Sequence, residues 1–440
     1  MDATLTGSGN ERGLASESED GSAYLVQVTS GERVCDPEVI PMVGSCRIGR
    51  RSEEVSVGLM LDDGRASRLH AELRKTDGGW LLTDLGSKNG TEVDGRRLTG
   101  PRAVHDRAVL RIGDTLFVLR TRRPANDGLV DDADLPGISP EMAEVRRAVR
   151  AVAPGQHPVL VLGPTGSGKE YAAWAIHRHA ASSGPRVAVN VAELQPNLAA
   201  AELFGYEPGA YTGATASGAD GLVTRADGGT LFLDEIGDLS LDVQPTLLRF
   251  LESGEYRRVG SGTVSRSRAR IVAATHVDLD AAVAQQLFRR DLLGRLRAYV
   301  EPIALPPLQS RREDILGWAL KLGGPRALDG WSVTQLVRLL LHTYLEGLRE
   351  LRRLVLRGPT QGAFATGPGS TTDPTRETPR RPVRAAPAPT TPIDKASLTS
   401  LLERHAGNVR QVAAELGVDR KRVYLEMTKH GLSADDFRSR

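Results

Sequence analysis

Gly163-Pro164-Thr165-Gly166-Ser167-Gly168-Lys169 is the stretch that decides how this chain is read. It follows a short apolar run, Val159-Leu160-Val161-Leu162, and opens a helical stretch over 169–179. In a strand, glycine-rich turn and helix, backbone N–H groups turn inward around phosphate oxygens. The helix N-terminus adds positive potential, and the loop-ending Lys reaches the outer phosphates. Gly163, Thr165, Gly166, Ser167, Gly168 and Lys169 are therefore the expected phosphate binders. A hydroxyl residue that helps hold Mg²⁺ commonly comes next, but this chain has Glu170. Downstream, Thr230-Leu231-Phe232-Leu233 runs into Asp234-Glu235. Two carboxylates ending a buried strand suit Mg²⁺ held through water by Asp234 and an attacking water oriented by Glu235.

Outward from this pair, Val187-Ala188-Val189-Asn190 and Ile271-Val272-Ala273-Ala274 are further apolar runs with helical stretches between them. Strand–helix alternation predicts an α/β domain with a parallel sheet over 136–357. Over 21–121 the pattern differs. Short runs such as Tyr24-Leu25-Val26-Gln27-Val28 and Thr115-Leu116-Phe117-Val118-Leu119 are punctuated by Asp63-Gly64, Asp77-Gly78-Gly79 and Asp94-Gly95. That spacing predicts an all-β sandwich. Residues 1–20 read as a disordered polar tail and 122–135 as a linker. The Pro-, Thr- and Ala-rich 358–392 reads as a second, disordered linker, and 393–440 as a compact all-α module.

Bulk properties narrow the class. A net charge of +2 over 440 residues offers no general affinity for nucleic acid, so any basic site is local. Two cysteines, Cys35 and Cys46, make neither a disulfide framework nor a zinc set. The N-terminal residues lack a basic segment followed by an apolar one, and no run approaches membrane-spanning length. The expectation is a cytoplasmic protein without a signal peptide or membrane contact.

The central segment resembles the AAA+ domain of sigma-54-dependent transcriptional activators, the bacterial enhancer-binding proteins. The likeness lies in the phosphate loop with Glu170, in Glu202-Leu203-Phe204-Gly205-Tyr206-Glu207 followed by Gly209-Ala210-Tyr211-Thr212-Gly213-Ala214, and in Asp227 through Ile236. It covers about half the chain and implies ATP hydrolysis with Mg²⁺. It also implies a homo-oligomeric ring, a hexamer in the family, acting on the sigma-54 RNA polymerase holoenzyme. Gly209, Tyr211, Thr212 and Gly213 would contact sigma-54 from a mobile loop tip. Asn190 matches the residue that holds the catalytic Glu235 until the γ-phosphate is sensed. Thr275 and His276 match the sensor I position. Arg289 and Arg295 match fingers that reach a neighbour's γ-phosphate. Arg349 keeps the sensor II position. The Trp-Pro-Gly-Asn stretch usual before it is replaced by Tyr344-Leu345-Glu346-Gly347-Leu348, and the lid helices look shortened.

Arg47-Ile48-Gly49-Arg50, Ser67-Arg68-Leu69-His70 and 84–91 resemble, in order, the blocks of a forkhead-associated (FHA) domain. That implies binding of a phosphothreonine protein, with input from a Ser/Thr kinase. Arg50 can fork onto the phosphate and Ser67 can donate a hydroxyl. Lys88 can add charge, Asn89 can pin the ligand backbone, and Arg68 sits on a ligand-facing loop. His70 is expected to be a structural hydrogen-bonder.

Residues 408–424 read as a helix–turn–helix. Asn408 caps the first helix, Gly417 makes the turn and Asp419 caps the second helix. The second helix would present Arg420, Lys421, Arg422 and Tyr424 to upstream, enhancer-like DNA. The segment resembles the Fis-type domain that ends these activators. Together the modules imply signal reception, ATP-driven work and a DNA address. A rival reading, motivated by the altered lid, is a non-catalytic FHA/helix–turn–helix regulator with a degenerate ATPase.

Overall fold

The structure, a computed structural model, describes residues 23–31, 33–52, 55–124, 134–180, 184–211, 215, 217–359, 395–405, 408–416, 423, 426–427, 430, 432 and 437. The chain divides into two units at residues 370 and 371.

The first unit begins with eleven strands. They are β1 (Ala23–Ser30), β2 (Arg33–Met42), β3 (Ser45–Arg50), β4 (Leu59–Leu61), β5 (Ala71–Thr76), β6 (Gly79–Asp84), β7 (Thr91–Val93), β8 (Arg96–Arg97), β9 (Arg102–Val104), β10 (Val109–Ile112) and β11 (Thr115–Arg120). One sheet has the order β2-β1-β11-β10-β7-β8 and the other β4-β3-β5-β6-β9. Ordinary alternation fills the sandwich: Ile48, Leu73, Leu82, Leu110 and Phe117 meet between the sheets while Arg74 and Lys75 face solvent.

β11 breaks that alternation and is buried at all six positions. Its second face, Leu116 and Val118, joins Val26 and Val28 of β1 and Val109 of β10 in a core shared with Ile315, Trp318, Leu336, Val337 and Leu340 of the helices that follow the α/β sheet. A sheet covered on both sides needs strands apolar on both faces. The sequence reading set the two domains apart at a linker, whereas the structure joins them in one apolar core. Burying each such side chain stabilises by about 1.5–3 kcal/mol, an upper figure when the unfolded chain is itself partly collapsed.

The sheet of the α/β domain is parallel throughout. Its strand order is Arg186–Asn190, Thr230–Asp234, Arg270–Thr275, Val159–Leu162, Ile303–Ala304. Val159 and Val161 face the helices Pro140–Val152 and Lys169–Arg178. Leu160, Leu231 and Leu233 face the opposite layer, which includes Gln244–Ser253 and Arg290–Arg297. The phosphate loop and Asp234-Glu235 therefore leave adjacent regions of one sheet edge, at the carboxyl ends of its strands. The lid consists of helices Ile315–Gly323, Val333–Leu341 and Gly347–Arg357.

In the second unit, helices Lys395–Arg404 and Val409–Leu416 close over Leu398, Leu402, Val412, Val423 and Met427. Arg404 pairs with Glu415 at 2.6 Å. Arg420, Lys421, Arg422 and Tyr424 lie outside the described residues. Among the described residues, no helix is long and apolar enough to cross a membrane.

Candidate nucleotide and phosphopeptide sites

Thr165, Gly166, Gly168, Lys169, Glu170, Asp234, Glu235 and Arg349 line one cavity of about 250 Å³. Gly166 (φ +71°) and Gly168 (φ +105°) take left-handed backbone, which turns the loop around this space. Gly163 and Ser167 are not among the lining residues; they support the loop from behind. The Gly163 carbonyl accepts from Lys169 Nζ at 3.2 Å. Ser167 is buried, and its carbonyl accepts from the fully buried Arg311 at 2.7 Å. Glu170 accepts from the Trp174 indole at 3.2 Å.

Lys169 is almost fully buried and lies 3.6 Å from Glu235 Oε1. The other carboxylate oxygen accepts from His276, at 2.7 Å from the ring Nδ1 and 3.3 Å from the backbone N–H. Burial would raise the Glu235 carboxyl, but the His276 hydrogen bonds and the Lys169 charge outweigh it and hold the group below its ordinary value. Asp234 moves the opposite way: burial and the Glu235 charge raise it, against Lys169. Glu235 also carries φ +53°. A non-glycine residue in that region is strained and persists only where its surroundings fix it.

Asn190 lies beside Asp234 in the parallel register, one residue from Glu235. Its side chain is turned to its own strand end. Oδ1 accepts from the Ala192 N–H at 3.1 Å, and Nδ2 donates to Glu193 at 3.2 Å. The contact with Glu235 that the resemblance implies is thus replaced here by His276. A strand-end Asn finds the next free backbone N–H locally, while His276 directly follows the strand Arg270–Thr275 on the other side of Asp234.

The unusual turn before Arg349 seats directly on the phosphate loop. The Leu348 N–H donates to the Gly166 carbonyl at 2.8 Å. A Cβ on Gly166 would come within 1.9 Å of the Glu346 carbonyl oxygen. A Cβ on Gly347 would meet Gly166 O at 2.4 Å. Two glycines, each at positive φ, let lid and loop backbones touch. Arg352, one turn beyond Arg349, and Tyr171 also line the cavity. Sequence reasoning missed both, although the i, i+3 spacing of Arg349 and Arg352 placed them on one helix face.

Arg289 and Arg295 are outside this cavity's lining. Arg289 forks onto Asp291 at 3.0 and 2.7 Å. Arg295 donates twice to the Leu251 carbonyl, at 3.1 and 2.9 Å, and once to Tyr299. In the signature loop, Gly205–Tyr206 pairs with Ala219–Asp220 as a hairpin base. Gly209 has φ +72° and open space around it, and Tyr211 packs edge-on against Tyr206 at 5.2 Å. Thr212 and Gly213 lie outside the described residues.

In the sandwich, Arg50 is exposed at the end of β3, and its N–H donates to the Ser67 carbonyl at 2.9 Å. The Ser67 hydroxyl accepts from the Lys88 N–H at 3.0 Å, which leaves its own proton to donate. Asn89 Nδ2 donates to the Arg65 carbonyl at 2.7 Å. His70 is fully buried. Its Nδ1 accepts from the Ser67 N–H at 3.0 Å, and its Nε2 lies 3.2 Å from the Gly90 carbonyl. Burial keeps this imidazole below its usual range, as a neutral ring bridging two backbone groups requires. A Cβ on Gly49 would come within 2.2 Å of the Arg68 carbonyl oxygen, so glycine there lets the ligand loop close over β3. These residues gather Arg50, Ser67, Arg68, Lys88 and Asn89 on neighbouring loops.

Comparison with known proteins matches residues 135–301 to the sigma-54 interaction domain and residues 46–113 to the FHA domain. The NtrC transcriptional regulator of Bradyrhizobium is 42% identical over 54% of this chain and 50% of its own length. The alginate biosynthesis regulator AlgB of Pseudomonas aeruginosa is 38% identical over 67% of each chain. The regulator ZraR of Klebsiella oxytoca is 36% identical over 74% of this chain and 75% of its own. The chain spans about half the length of the NtrC relative and two thirds or more of the other two. Extent, identity and the matched domain together place the chain in the family of sigma-54-dependent transcriptional activators.

Proposed function

We propose that this chain hydrolyses ATP and uses the work to remodel the sigma-54 RNA polymerase closed complex. The observation that carries the reading is the meeting of Lys169, Asp234 and Glu235 in one cavity that the lid residue Arg349 also lines. The phosphate loop and Lys169 hold the phosphates, and Arg349 joins them from the lid. Glu235, kept ionised by His276 and Lys169, accepts a hydrogen bond from the attacking water and aligns it. The acidic donor set of Asp234 and Glu235 fits Mg²⁺ held largely through water, as that ion prefers. When bound, it would neutralise charge on the phosphate oxygens. Turnover of ATP by the purified chain tests the reading, and absence of turnover favours the degenerate-ATPase alternative.

Several partners belong to the same proposal. Tyr211 and Thr212 engage sigma-54. Arg289 and Arg295 act on a neighbouring subunit's nucleotide in a ring, which requires them to exchange their present partners Asp291 and Leu251. Arg420, Lys421, Arg422 and Tyr424 read upstream DNA. The FHA sandwich binds a phosphothreonine protein through Arg50 and Ser67. For that site, Arg50→Ala is expected to lower affinity for a bound phosphothreonine peptide by about 10–100-fold, the worth of a charge-assisted hydrogen bond. Fluorescence anisotropy measures it. Equal binding of phosphorylated and unphosphorylated peptide by the wild type would remove the FHA part of the account.

A further inference from the structure

The FHA sandwich is built into the ATPase lid, and its ligand loops are tied to that junction. Two sets of contacts meet there. The first is the shared apolar core already described, reinforced by the stretch 310–314. Arg312 donates to the Arg107 carbonyl at 2.7 Å and to Asp94 at 3.3 Å, both in the sandwich. Arg120 of β11, fully buried, donates to Glu313 at 2.7 Å, to the Ser310 carbonyl at 3.2 Å and to Glu141 at 2.7 Å. The next residue back, Arg311, holds the phosphate-loop carbonyl of Ser167. Consecutive arginines thus face the nucleotide loop and the sandwich.

The second set runs from the phosphopeptide loops to the lid. Asn89 Nδ2 holds the Arg65 carbonyl. The Arg65 side chain pairs with Asp114 at 3.4 Å. Asp114 is buried and pairs with Arg111 at 3.0 Å. Arg111 in turn donates to Thr334, in the first turn of the lid helix Val333–Leu341, at 3.3 Å. The buried Asp63 clamps the same loop onto the β10–β11 turn. It accepts from the Arg65 N–H at 2.8 Å, the Asp114 N–H at 2.7 Å and Thr115 at 2.9 Å. The Arg65–Asp114 pair, with its arginine exposed, carries little energy, so the apolar core supplies rigidity and these polar contacts supply connection to the ligand loops.

Asn89 stands at the ligand-loop end of these contacts. Its amide donates to the Arg65 carbonyl, and a ligand backbone pinned by the same amide would draw on that donor group. We propose that phosphothreonine occupancy competes Asn89 away from Arg65 and so shifts the lid through Asp114, Arg111 and Thr334, setting nucleotide affinity from the FHA site. This rests on the nucleotide and phosphothreonine readings above. Coupling of two sites is reciprocal, so nucleotide must also be felt at the FHA loops, and no cognate peptide is needed to test it.

The experiment is hydrogen exchange on the full chain with and without a non-hydrolysable ATP analogue and Mg²⁺. Wild type is expected to change exchange at 63–67 and at the Lys88 and Gly90 amides by about 5-fold or more. Arg111→Met keeps the packing, basal turnover and protection of the phosphate loop, and loses the change at the FHA loops. Protection of 163–169 and 346–349 with unchanged FHA loops in wild type would overturn the proposal, as would an unchanged response in Arg111→Met. No protection anywhere would overturn the nucleotide reading, and this one with it. A failed phosphopeptide assay, by contrast, would leave the nucleotide-to-loop response intact.

Discussion

Glu235→Gln is expected to lower kcat for ATP by about 10²–10⁴-fold while leaving nucleotide affinity within a few-fold. The substitution keeps the shape and an acceptor for His276 but removes the charge that draws the attacking water. The groups that hold phosphate, the loop N–H groups and Lys169, are untouched. Lys169→Ala should do the reverse and weaken binding by on the order of 10²-fold. It also frees Glu235 Oε1, now 3.6 Å from the ammonium. Equilibrium binding of a labelled nucleotide, measured beside steady-state turnover, separates the two variants. Unchanged turnover in Glu235→Gln would remove the carboxylate from catalysis.

The second large effect is on stability. Arg120→Met is expected to cost about 3–5 kcal/mol, because it leaves Glu313 buried without its cation. Burial already pushes the Glu313 carboxyl up to about 8, with Arg120 lowering it and Asp314 raising it. A carboxyl raised on folding binds its proton more tightly in the folded chain. Stability therefore falls as pH rises from the unfolded value of 4.5 through the folded value of about 8. Loss of Arg120 raises the folded value further, so the variant's deficit should grow as pH rises through about 8, where Glu313 ionises in the wild type and stays protonated in the variant. Glu313→Gln added to Arg120→Met should recover much of the loss. Denaturant titrations at about pH 6 and about pH 9, below and above that folded value, read both effects. A variant as stable as wild type at both would contradict the buried bridge.

Much of this was legible in the residues. Strand, glycine turn and helix around 163–169 are local chemistry, and so is the carboxylate pair at 234–235. The sequence therefore pointed to the phosphate loop, Lys169, Asp234, Glu235 and Arg349, which the fold places around one cavity. It also anticipated His70 as a structural hydrogen-bonder, which the fold places between the Ser67 N–H and the Gly90 carbonyl. What it could not reach depends on contacts distant along the chain. Asn190 ends one strand near Glu235 and His276 follows another, and only packing decides that His276 takes the carboxylate. The turn at 344–348 read as a departure in the lid. In three dimensions Gly347 lies against Gly166, a contact between residues 181 positions apart. The union of sandwich and lid left one trace in sequence. Thr115-Leu116-Phe117-Val118-Leu119 lacks a polar face, as a strand buried on both sides must.

The central claim is that ATP turnover at Lys169 and Glu235 is spent on sigma-54 RNA polymerase through the loop at 209–214. The most direct measurement is open-complex formation on a sigma-54 promoter by purified chain, holoenzyme and ATP, comparing wild type with Thr212→Ala. The account predicts ATP-dependent open complexes with wild type, and their loss in Thr212→Ala with ATP turnover retained. Open complexes formed equally well by Thr212→Ala, or none formed by a wild-type chain that turns over ATP, would contradict it.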